Sequence, residues 1–104
     1  MSWKTLDRIV STIVCHIFKP KYHVERVERY RLPGRLRSVK WCVAPAAAPA
    51  DELRRIFSIV DEPESDDVAV WFYSSLEDIG RKPFDVALLE RTGKGARPTI
   101  RRPT

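Results

Sequence analysis

Four glycines in 104 residues, scattered at 34, 80, 93 and 95, leave no glycine-rich loop to cradle a phosphate. The two cysteines, Cys15 and Cys42, form no C-x-x-C pair, and together with the two histidines, His16 and His23, they match no common zinc spacing. Cys42 with a histidine could in principle make a thiol nucleophile and its base, but no third group supports the pairing, and a strand cysteine beside Trp41 is ordinarily a packing residue. No serine stands in a nucleophile elbow. The acidic pairs Asp66-Asp67 and Glu77-Asp78 fall in loops, without a spacing that dictates a shared site. These absences predict a chain that is not an enzyme and has no catalytic residues, no metal site and no cofactor.

Long apolar runs are missing too, since nothing approaches the roughly 20 residues that a membrane span requires. Ile9 to Phe18 is short, is interrupted by Ser11, Thr12 and His16, and runs into Lys19-Pro20-Lys21. Val14 before Cys15 is bulky for a lipid-attachment site. Signal-peptide and lipid-anchor readings are therefore set aside, and a cytoplasmic location with reduced cysteines is the expectation.

What is present suits one folded domain. Hydrophobic residues make up 43% of the chain and charged residues 32%, with three Trp, three Tyr and four Phe to fill an interior. The length allows one core of two packed layers and not two domains.

The net charge is +5, and its distribution is more telling than its sum. Residues 1–50 carry ten Lys/Arg against three acids, residues 51–90 carry four against eleven, and residues 91–104 carry five against none. A basic first half facing an acidic middle suits internal pairing or contact between copies at least as well as a phosphate-binding face.

Periodicity divides the chain into three parts. In residues 1–20, Trp3, Leu6, Val10, Ile13 and Ile17 recur every three or four positions, predicting an N-terminal amphipathic helix that Pro20 ends. Its basic flanks and leading Trp give it the only physical basis for membrane-surface contact, although an apolar helical stripe is ordinarily core. Residues 21–92 read as a single α+β domain, and residues 93–104, with two Pro and four basic side chains, as a loose basic tail.

Within the domain, Leu32-Pro33-Gly34-Arg35 has the chemistry of a type II turn and predicts a hairpin over Tyr22 to Val43. Imperfect alternation predicts an irregularity in each arm. A short helix over Val24, Val27 and Tyr30 is the alternative for the first arm. After the linker Pro45 to Pro49, Leu53, Ile56, Phe57 and Val60 stand at i, i+3, i+4 and i+7, behind Asp51 and Glu52 in the first turn, and predict a helix that Pro63 stops. Val68 to Tyr73 has the profile of a central strand buried on both faces, and Phe84 to Leu89 alternates as the next strand. Strand, helix, strand implies a crossover that sets its two strands parallel, with the last strand returning antiparallel. The predicted fold is a small mixed sheet, hairpin then helix then hairpin, with one helix packed on a face.

The strongest candidate for function is the basic hairpin. Arg26, Arg29, Arg31, Arg35, Arg37 and Lys40 lie within fifteen residues and are interleaved with Tyr30 and Trp41, a combination able to track a phosphate backbone while stacking a base. Glu25 and Glu28 dilute it, and charges on an edge strand also discourage aggregation.

Two resemblances attach to particular residues. Val39-Lys40-Trp41-Cys42-Val43, the Asp51 to Val60 helix, Asp67 to Tyr73 and Phe84-Asp85-Val86-Ala87 resemble the layout of small bacterial domains of unknown function, including orphan proteins carried on mobile gene cassettes. The resemblance covers residues 36–92 and implies a compact accessory domain, often oligomeric, without assigned chemistry. Trp71, Leu76, Gly80, Pro83 and Asp85 resemble the toxin-binding region of a family of bacterial antitoxins, in which the tryptophan sits on a helix. The expectation drawn from all this is a cytoplasmic, self-associating interaction or regulatory module, with a homo-oligomer or another protein as partner. Nucleic-acid binding through hairpin and tail, and antitoxin-like binding of a toxin, are the alternatives.

Overall fold

The computed structural model describes residues 21–103. The N-terminal amphipathic helix expected over residues 1–20, and with it Cys15 and His16, lies outside the described residues.

Five strands form one mixed sheet in the order of the chain. Strand β1 (His23–Leu32) turns through Pro33-Gly34 into β2 (Arg35–Val43), and the two pair antiparallel. Gly34 has a φ of 73°, the left-handed value that the second central residue of this turn requires and that glycine adopts without strain. One irregularity, between Val24 and Arg26, shifts the β1 register. The second arm keeps a continuous register with β3, so the irregularity expected there is absent, as is the alternative helix over Val24 to Tyr30.

Helix α1 (Ala50–Val60) carries the chain from β2 to β3 (Asp67–Tyr73), which lies parallel to β2 as the crossover rule requires. Leu53, Ile56, Phe57 and Val60 are the buried residues of α1, the set its periodicity predicts. Its first turn has no side-chain cap; Asp51 and Glu52 lie where the helix dipole favours negative charge, and Leu53 N–H bonds to Pro49 O at 3.1 Å. The helix stops before Pro63, because a residue preceding proline is pushed out of helical geometry.

Strand β4 (Ala87–Thr92) returns antiparallel to β3. It starts three residues later than alternation suggests, since Phe84 and Asp85 belong to the incoming loop. The Asp85 carboxylate accepts from both the backbone N–H and the hydroxyl of Ser74, which ties residue 85 to the end of β3 and leaves Phe84 to pack edge-on against Trp71, ring centres 5.9 Å apart. The tail expectation is corrected as well. Thr99–Arg101 forms a fifth strand, β5, antiparallel to β4, and beyond it Arg102 donates to Ala48 O at 2.8 Å and Val86 O at 3.1 Å. Prolines and positive charge dominate that composition, but Ile100 packs against the core and the outer edge of β4 needs a partner.

The pleat divides the side chains. Cys42, Val68, Val70, Phe72, Ala87 and Leu89 meet α1 in the main core. On the opposite face Val39, Ala69 and Leu88 form a smaller buried cluster, covered by the half-buried rings of Trp41, Trp71 and Phe84. Among the described residues no helix packs on this second face, and none is long and apolar enough to cross a membrane.

Candidate interaction surface

The pleat also splits the basic hairpin, because neighbours along a strand point to opposite faces. Arg26, Tyr30, Arg35 and Arg37 accompany Trp41 on the face opposite α1, while Arg29, Arg31 and Lys40 project toward the helix side. A single flat ligand cannot touch both sets.

On the helix side the charges close on a buried acid. Glu62, just beyond the end of α1, is 7% exposed. Its Oε1 accepts from Arg29 Nε at 2.8 Å and Ser38 Oγ at 2.7 Å, and its Oε2 accepts from Arg29 Nη2 at 2.7 Å and lies 3.1 Å from Lys40 Nζ. Lys40 also donates to Val60 O at 2.5 Å, and Ser38 Oγ lies 2.8 Å from Ser65 Oγ. The Arg29 guanidinium, aided by Ser38 and Lys40, outweighs the penalty of burial and holds the Glu62 carboxyl at about 2.

On the open face the charges are paired more loosely. Arg26 lies over the Trp41 ring, 5.0 Å from its centre, and bonds to Glu28, which also accepts from the Tyr30 hydroxyl. These bonds, led by that of Tyr30, lower the Glu28 pKa. Arg35 grips Asp67 with two bonds of 3.0 and 2.6 Å, and the contact holds that carboxyl below its usual range. Four of the six cations therefore sit in ion pairs within the chain: Arg26, Arg29, Arg35 and Lys40. Arg31 and Arg37 have no ion pair among the described residues.

Sequence reasoning missed Glu62 and Arg91. The Arg91 guanidinium, 2% exposed, donates to Asp61 Oδ1 at 3.0 and 3.2 Å and to the carbonyls of Glu62, Ser65, Gly93 and Asp66 at 2.9, 3.1, 2.6 and 3.4 Å. It pins the acidic connection between α1 and β3. The usable signal was strand alternation: Ala87, Leu89 and Arg91 share the inward face of β4, which marks Arg91 as a buried charge needing partners.

The chemistry weighed from the sequence does not assemble among the described residues. Cys42 is fully buried, and burial pushes its thiol up to about 12, while the His23 ring bonds to Glu25 on the exposed edge. No group of three or more His, Cys, Asp or Glu side chains among the described residues is arranged to hold a metal ion. Asp66 accepts from Leu36 N–H at 2.7 Å and Asp67 from Gly93 N–H at 3.2 Å, so both acids are taken up in holding strand ends. Trp71 lies in β3, Leu76 in a short 3-10 turn (Leu76–Asp78), and Gly80 and Pro83 in the loop beyond, so the tryptophan-to-acid segment forms no α-helix. Comparison with known protein families, curated proteins and solved structures found no match.

Proposed function

We propose that this chain is a non-catalytic interaction module that works by self-association. The observation that supports it best is the neutralisation of the basic hairpin from within: Glu62 takes up Arg29 and Lys40, Asp67 takes up Arg35, and Glu28 takes up Arg26. A phosphate backbone is bound by cations that release counterions, and cations already paired contribute little. What the hairpin offers instead is aromatic surface and mixed charge, with Tyr30 43% exposed on the face that also carries the half-buried rings of Trp41 and Trp71. Trp, Tyr and Arg are the residues enriched where proteins meet proteins. A cytoplasmic setting accords with this reading, as does the likeness in layout to small bacterial accessory domains.

Nucleic-acid binding is the second reading, favoured by Arg31 and Arg37, and by the exposure of Tyr30 on the face that Arg37 shares. Light scattering of the full chain at low and high salt, with and without a pool of short nucleic acids, separates the two. A discrete oligomer indifferent to nucleic acid is the expected result. A monomer that gains mass with nucleic acid at low salt and loses it at high salt would transfer the function to the second reading.

A further inference from the structure

The two edges of the sheet differ. On one side β5 is three residues long and flanked by Pro98 and Pro103, a short edge with little backbone to offer. On the other side β1 runs ten residues, pairs among the described residues with β2 along one flank only, and has side chains that are almost all exposed. Val27, in the middle of the strand, is 38% exposed.

An unpaired strand edge presents a row of N–H and C=O groups that a second strand can complete. If that strand is β1 of another copy, running antiparallel, the two-fold axis stands perpendicular to the sheet and like faces adjoin. Residues opposite one another must then share a face, so the axis must pass through a residue and not between two. Few registers remain, and charge decides among them. Centring on Glu28 sets Glu28 against Glu28, and centring on Arg29 sets Arg29 against Arg29. Centring on Tyr30 sets Arg29 against Arg31. Centring on Val27 sets Val27 against Val27, Arg26 against Glu28, and Glu28 against Arg26. A protective edge would carry one sign of charge and repel its own copy. This edge carries both, ordered so that one register is complementary to itself.

Resting on the self-association reading, we infer that β1 is the dimerisation edge, pairing antiparallel with β1 of a second copy about a two-fold axis at Val27. The two sheets then join into one. Both α1 helices lie on the same side of it, Arg26 to Glu28 form the regular centre of the seam, and Arg29 of each copy falls opposite the irregularity between Val24 and Arg26 of the other.

Sedimentation or light scattering of the full-length chain over a concentration series tests this, with circular dichroism to check folding. Arg26→Glu and Glu28→Arg each put two like-charge pairs across the axis, and each is expected to weaken dimerisation by about tenfold or more. The double variant Arg26→Glu/Glu28→Arg exchanges the charges and is expected to recover the wild-type dimer. On a Cys15→Ser background, Val27→Cys is expected to give a covalent dimer under mild oxidation, since directly opposed residues lie within disulfide reach. A wild-type chain that stays monomeric at every concentration overturns both the self-association reading and this inference. An oligomer whose mass ignores both single substitutions, or a double variant that stays monomeric while folded, overturns the β1 edge alone and leaves self-association through another surface.

Discussion

Arg29 on β1 and Glu62 beyond α1 stand 33 residues apart in sequence and are joined by a two-pronged ion pair, with both carboxylate oxygens within 2.8 Å of the guanidinium. The pair ties the edge strand to the far side of the crossover. Because the carboxylate also receives Ser38 and Lys40, its ionised form is favoured over its neutral one in the folded chain.

That preference makes stability depend on acid. The folded Glu62 carboxyl lies near 2, against an ordinary 4.5, so its contribution is fully present above about 4.5 and is lost as pH falls from there through about 2. The difference corresponds to a contribution on the order of 3 kcal/mol. Urea unfolding from pH 7 down to pH 2 is expected to show the loss in wild type. Glu62→Gln should be less stable at pH 7 by a comparable amount and show a flatter profile in the acid window.

Arg91 is expected to be less replaceable than Arg29. Its guanidinium fans out to Asp61 and four backbone carbonyls, a pattern that a single ammonium cannot reproduce. Arg91→Met should cost about 3 to 5 kcal/mol, because it strands a carboxylate and several carbonyls that now have their donor. Arg91→Lys should recover only part of that, and thermal unfolding of the two variants side by side measures the difference.

The outlines of the fold were readable where side chains repeat with a period. Leu53, Ile56, Phe57 and Val60 announced α1, Val68 to Tyr73 announced a buried strand, and the strand-helix-strand order implied the parallel pairing of β2 with β3. Pro33-Gly34 located the turn. The fifth strand was not readable, because three residues between prolines carry no period and form a strand only when the edge of β4 is there to receive them. The hairpin cations were all identifiable as residues, but their use was not. Whether an arginine faces solvent or a buried acid depends on strand parity and on where residues 61–67 return, and composition encodes neither.

Removing residues 99–104 tests the role of β5. The deletion takes away the pairing with β4, the packing of Ile100 and both bonds of Arg102, and should lower stability by about 2 to 3 kcal/mol. A midpoint of thermal unfolding unchanged by the deletion would show that the strand is dispensable.

Cys42 should be chemically silent in the folded protein. A fully buried thiol pushed up to about 12 has almost no thiolate at pH 8, and the thiolate is the reactive form. Treatment with iodoacetamide at pH 8, followed by peptide mapping, is expected to leave the Cys42 peptide unmodified in native protein and to find it alkylated after unfolding in guanidinium.

The grip on Glu62 also governs how the molecule opens. One carboxylate is held by Arg29 of β1 and by Ser38 and Lys40 of β2, and Lys40 in turn holds the last carbonyl of α1. Fraying of the outer strand would strip the two-pronged guanidinium from a buried carboxylate and leave it to Ser38 and Lys40 alone, so peeling of the strand is coupled to loosening at the end of the helix. Amide hydrogen exchange would then record the hairpin and the helix as one cooperative unit, with the protected amides of β1 opening at the same free energy as those of α1, although β1 lies at the edge of the sheet.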